Sequence, residues 1–133
     1  TFGSIGFEKE SEILWKIFEN FIYEMNNIAK KKDINFVILI SPISLLVDHH
    51  EHINHTNLSI DCATIDAHKR LFSILKKNNI DYIDPLEKFN SFAQVSFNEK
   101  NQLNLFHNFD TNHPNHNGSY LIALSILEYF KIK

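Results

Sequence analysis

The chain has 133 residues, enough for one domain with a real core. Apolar residues make up 44% and charged residues 22%, and a formal charge of -3 speaks against the basic face of a nucleic-acid binder. No apolar run nears the roughly 20 residues that span a bilayer, and a single cysteine, Cys62, excludes an internal disulfide framework.

In chain order, residues 8–31 predict a long amphipathic helix, with Ile13, Leu14, Ile17, Phe18, Phe21, Ile22, Met25 and Ile28 on one face. Acidic residues open it and lysines close it, as the helix dipole favours. NFVILISP, residues 35–42, is an apolar run stopped by Ser-Pro, the pattern of a strand buried on both faces in a parallel sheet. Residues 60–77 predict a second helix with Ala63, Ala67, Leu71 and Ile74 on one stripe. IDYIDP, residues 80–85, predicts a second strand, parallel to the first and beside it, followed by a helical turn around Leu86–Phe92 and a polar, irregular stretch. The last helix is expected from about Asn117 to Phe130, with Tyr120, Leu121, Leu124 and Leu127 facing inward against the sheet. Helix and strand alternate, the pattern of an α/β domain with a parallel sheet. With only three glycines, the chain holds neither GxGxxG nor GxxxxGK[ST], so nucleotide binding through those loops is excluded.

Chemistry concentrates just before the last helix, in FDTNHPNHNGSY. Working residues of open α/β sheets gather beyond the carboxyl ends of the strands, and this segment is expected to arrive at that edge. An imidazole that takes a proton from a hydroxyl must hold one ring nitrogen free toward it. A carboxylate on the other nitrogen fixes the tautomer and stabilises the imidazolium. Asp110 and His113, in a tight Asp-x-x-His turn, are the candidate pair. Pro114 stiffens that turn, Gly118 allows close backbone approach, and Asn115 or Asn117 is placed to cap the helix. The plainer alternative is a surface turn with ordinary capping.

The block Asp110-Thr-Asn-His113-Pro-Asn, with Gly118, Ile122 and Ala123 following, resembles the last conserved block of the SGNH (GDSL-type) hydrolases and acyltransferases. The upstream helix, the VILISP strand, the second helix and the IDYIDP strand come in that family's order. The resemblance covers most of the chain and implies a three-layer α/β/α sandwich with a parallel, flavodoxin-like sheet. It implies catalytic roles for Asp110 and His113 and no cofactor. The family's Gly-Asp-Ser nucleophile block is absent here. TFGSIGF reads either as the end of the family's Gly-x-Asn strand, with Ile5 where Asn is expected, or as a degenerate nucleophile block at Ser4-Ile5-Gly6 that lacks its Asp. On the first reading, which we favour, residues 1–133 form the C-terminal part of the domain, a view that the initial Thr in place of Met accompanies, and the nucleophilic Ser lies upstream. An exposed apolar surface, or a partner chain or upstream segment covering it, is then expected.

By that resemblance the reaction is ester chemistry on a small acyl ester or O-acetylated carbohydrate, as an esterase or an O-acetyltransferase, without nucleic-acid or membrane partners. Two other classes compete: a non-catalytic glycan-binding or assembly module of the same fold, and a metal-binding protein. The latter would use Asp48, His49, His50, Glu51, His52 and His55 of DHHEHINH as ligands for Zn²⁺ or Ni²⁺. That run lacks regular helical spacing, so a solvated loop with no metal is the expectation. His116 could share a metal with His113, but His113 is better explained as a base. Ser41 and Ser44 lie at the strand edge, where they could touch substrate, although core-edge hydroxyls are the commoner case, and Cys62 and Trp15 are read as packing residues.

Overall fold

The structure is a computed structural model and describes residues 4–47, 62–98, 104–107 and 110–132. At positions 4–10, 45, 62–66, 96–98 and 110–112 the backbone alone is described. Its elements are α1 (Ser4–Lys31), β1 (Val37–Leu39), a 3-10 turn (Ser44–Leu46), α2 (Cys62–Lys77), β2 (Asp81–Ile83), α3 (Leu86–Asn98), β3 (Phe106–His107), β4 (Asp110–Pro114) and α4 (His116–Tyr129). The described residues are thus mixed α/β and mostly helical. They fall into two compact units, Thr1–Val37 with Phe72–Asp81, and Ile38–Leu71 with Tyr82–Lys133. No helix among them is long and apolar enough to cross a membrane.

In the first unit, Glu19 ties the middle of α1 to the carboxyl end of α2. Its Oε1 accepts from Asn78 Nδ2 at 3.0 Å and lies 2.8 Å from Lys77 Nζ. Ile22, Asn26 and Ala29 are buried on α1, and Ile74, Leu75 and Ile80 are buried beyond it in sequence. This turns the expected apolar face. Ile22 is buried, but Ile13, Leu14, Ile17, Phe18, Phe21, Met25 and Ile28 are exposed. The apolar residues of α1 cover too much of its circumference for one short helical end to hide. The stripe that contains Glu19 is the one that packs. The helix also begins earlier than its acidic residues, so its first turn holds none, while Lys30 and Lys31 do occupy the last.

Helices α1, α2 and α4 end alike. Asp33, Asn79 and Lys131 have φ of 55°, 48° and 53°. The next amides, Ile34, Ile80 and Ile132, donate back to Ala29, Leu75 and Leu127 at 3.0 Å or less. The left-handed residues' own amides reach Lys30, Lys76 and Glu128. These are Schellman closures, which satisfy carbonyls left open at a helix end. Asp and Asn tolerate the left-handed conformation through local hydrogen bonding, which Lys131 does not share.

β1 and β2 are neighbours, as expected, and their carboxyl-terminal residues belong to the second unit. The Ile40 amide donates to the Ile83 carbonyl at 3.0 Å. The bond joins the residue just past β1 to the last residue of β2, so both carboxyl ends lie together, as in a parallel pair. Both strands are shorter than the apolar runs that announced them. Asp84 accepts from the Leu86 amide at 3.0 Å and so starts α3. That helix runs to Asn98, well beyond the expected single turn. Phe89, with Phe92 and Ala93 one turn on, joins Val47, Leu105, Phe106 and Leu121 in the unit's core. The Phe89 and Phe106 rings lie 5.7 Å apart, tilted at 48°, a spacing favourable for aromatic pairs.

α4 packs on α3 and on the β3–β4 hairpin. Its buried stripe is Gly118, Leu121 and Ser125, with Ser125 Oγ donating to the Leu121 carbonyl at 2.9 Å. Leu124 is half-buried against the same core. Tyr120 and Leu127, expected inside, are exposed. Small residues at 118 and 125 define the close-packing side, and the larger apolar residues at 120 and 127 lie off it.

Candidate active site

The expected Asp-x-x-His turn is instead part of a strand. β4 pairs antiparallel with β3, with Pro114 opposite Phe106 and Asp110 opposite His107. These are adjacent rungs on β3, yet on β4 they are separated by Thr111, Asn112 and His113. The three residues form a bulge, and the ordinary alternation of side chains along a strand does not carry across it. Bulges of this kind redirect side chains and recur beside functional sites. Asp, Asn and Pro have low strand propensity, so the pairing is imposed by what flanks it rather than by the segment itself.

Asn115 is the main clamp. Its Oδ1 accepts from the Asn117 and Gly118 amides at 2.9 and 3.2 Å, capping α4. Its Nδ2 donates to the Asn104 and Phe106 carbonyls at 2.6 and 3.0 Å, and its own amide donates to the Leu105 carbonyl at 2.9 Å. One side chain thus joins the end of β4, the start of α4 and both sides of Leu105. Asn115→Ala removes the cap and the side-chain bonds to the Asn104 and Phe106 carbonyls, leaving Asn104 the longer bond from Asn117. It is expected to lower stability by about 2 kcal/mol, read as a fall in the urea midpoint. Asn117→Ala removes only a longer bond to the Asn104 carbonyl, 3.3 Å and exposed, and should cost much less.

His113 is exposed at the end of the bulge, and Asp110 holds the rung opposite His107. The Asp110 side chain lies outside what is described. β4 lies against the 3-10 turn that follows β1. The segment therefore arrives beside a chain that has just left the carboxyl end of β1. In that stretch Ser41 is exposed, whereas Ser44 is buried with no hydrogen-bond partner for its hydroxyl among the described residues. His116 is exposed and opens α4. Ser4, Ile5 and Gly6 lie in the first turns of α1, and the preceding TFG lies outside the described residues, as does the DHHEHINH run. Among the described residues no group of three or more His, Cys, Asp and Glu is placed to hold a metal.

One pair was not foreseen. His68 Nε2 lies 3.8 Å from Asp84 Oδ2, both largely buried, at the carboxyl end of β2. The distance is beyond a hydrogen bond, so the contact is an ion pair only when the imidazole is protonated. The other oxygen of Asp84 caps α3. The sequence signal was the Asp-Pro that ends β2; nothing local pointed to His68.

In comparisons with known proteins, no family model, no curated protein and no solved structure matches the chain.

Proposed function

We propose that this chain carries the acid–base half of a Ser-His-Asp ester-processing site of the SGNH type, with Asp110 and His113 as the pair. The observation that carries the reading is the placement of the bulged Asp-x-x-His segment. It lies against the turn that leaves the carboxyl end of β1 and runs directly into the capped start of α4. The order of helices and strands, and the meeting of β1 and β2 at their carboxyl ends, support the same fold: a three-layer α/β/α sandwich whose remaining strands lie in upstream sequence.

In this reading His113 takes the proton of an upstream Ser as its oxygen attacks an acyl carbonyl, and Asp110 orients the imidazole and stabilises its charged form. The tetrahedral intermediate collapses as His113 returns the proton to the departing alkoxide oxygen. Water, or a second hydroxyl, then takes the acyl group by the same proton transfers reversed. An O-acetylated carbohydrate is the proposed substrate, one of the ester classes that the resemblance implies. The chemistry calls for no metal or organic cofactor.

A fluorophosphonate probe applied to the chain extended upstream, followed by peptide mass spectrometry, tests the nucleophile. One labelled Ser upstream of Thr1, in a Gly-Asp-Ser setting, is the expected result. Labelling at Ser4 would move the nucleophile into this chain. An upstream sequence without that block, and no label anywhere, would leave a non-catalytic module of the same fold.

A further inference from the structure

We propose that the exposed apolar face of α1 is the contact surface of an antiparallel homodimer. This does not rest on the ester-chemistry reading. Leu14, Phe18, Phe21, Met25 and Ile28 recur at spacings of four and three, the heptad pattern of a helix seam. All five are exposed, from 38% at Phe18 to 65% at Leu14, with Ile13 and Ile17 exposed beside them. The neighbouring stripe of the helix packs within the first unit through Glu19, Ile22 and Ala29, and the seam runs beside it, about 100° further round at 3.6 residues per turn.

Area and charge select the occupant. The helix is 28 residues long, about 42 Å at the ordinary rise per residue. Taking each of these side chains at about half of the 150–250 Å² that an aromatic residue buries, the face offers roughly 700 Å² per copy. A standard interface takes about 800 Å² from each partner. Glu8, Glu10 and Glu12 precede the seam, with Lys9 among them, and Lys30, Lys31 and Lys32 follow it, with Asp33 beyond. A parallel partner would set acid on acid and lysine on lysine. An antiparallel one centred on Phe21 brings the Leu14 end against the Ile28 end and the acidic end against the basic end, at both ends of the contact. The face is therefore self-complementary in the antiparallel sense, which a second copy satisfies and an unrelated apolar surface does not. Isologous contacts of this kind are the commonest route to closed dimers.

The test is sedimentation equilibrium of the whole chain at tens of micromolar, where mass action makes such an association visible. A dimer is expected, and Leu14→Glu with Phe21→Glu is expected to give a monomer of unchanged helix content. Changing Glu8, Glu10 and Glu12 to Lys should abolish self-association, as should changing Lys30, Lys31 and Lys32 to Glu. An equimolar mixture of the two charge variants should recover a dimer, because each then opposes the other at both ends. That recovery also requires both variants to be folded. A wild-type monomer, or charge variants that self-associate like wild type, would overturn the proposal. So would wild-type chain that stays monomeric yet cosediments with phosphatidylserine vesicles through Leu14 and Phe21, which would make the partner a membrane surface.

Discussion

His113→Ala, made in a chain extended upstream to the nucleophile, is expected to lower turnover of a small acetyl ester by about a thousandfold or more, roughly 4 kcal/mol of transition-state stabilisation. The size follows from the two tasks that the proposed mechanism gives the imidazole: accepting the serine proton during attack and returning it to the leaving oxygen. Without it, neither transfer has a positioned partner. Asp110→Asn should cost as much or less, because it disturbs the tautomer while leaving the base in place. His116→Ala is the control. It lies on the first turn of α4, beyond the Asn115 cap, whereas His113 belongs to β4, the strand that lies against the turn after β1. Activity that survives His113→Ala and collapses with His116→Ala would identify the wrong histidine here. Activity indifferent to both would reduce the segment to a structural hairpin.

That hairpin marks the limit of what the residues disclose in order. α1, α2 and α4 were legible because each repeats apolar residues at helical spacing over several turns, and β1 and β2 because their apolar runs are short and end at Pro42 or Pro85. Asn115 and Gly118 were also legible as a cap and a point of close approach, since both roles follow from local chemistry. β3 and β4 were not. Phe106–His107 is too short to show alternation, and Asp-Thr-Asn-His-Pro carries no strand preference. The pairing is held by Asn115 reaching the carbonyls on either side of Leu105, contacts between residues eleven and nine apart that no local pattern encodes.

The burial of α1 shows a different limit. Periodicity establishes that a helix has an apolar face, but the partner decides which face is hidden. On α1 the stripe that packs is of mixed polarity: Ile22, Asn26 and Ala29 are buried on it, and the Glu19 carboxylate takes both Lys77 and Asn78. The more apolar stripe is left outside. Tyr120 and Leu127 make the same point on α4, where close approach at Gly118 and Ser125 outweighs the pull of larger apolar side chains.

Gly118→Ala is expected to destabilise the second unit by about 3 kcal/mol, seen as a lower urea midpoint with an unchanged slope. In an open helix the substitution would stabilise by about 1 kcal/mol, because alanine restricts the unfolded chain and favours helix. Here a Cβ would collide with the Leu105 carbonyl oxygen, come within 2.8 Å of the Pro114 Cβ and within 3.3 Å of the Phe89 ring. None of the three is the free end of a flexible side chain. The Leu105 carbonyl is held by the Asn115 amide at 2.9 Å, Pro114 is fixed opposite Phe106 on β4, and Phe89 is fully buried. Relief therefore requires α4 to move away from β3, which loosens the Asn115 clamp and shifts the bulge that carries His113. Ser119→Ala, one residue on and exposed, should change stability by no more than about 0.5 kcal/mol, so the contrast isolates contact from propensity. If Gly118→Ala proves neutral or stabilising, α4 does not lie as close to Leu105 as the fold requires, and the position of β4 between Leu105 and the cap of α4 loses its support along with it.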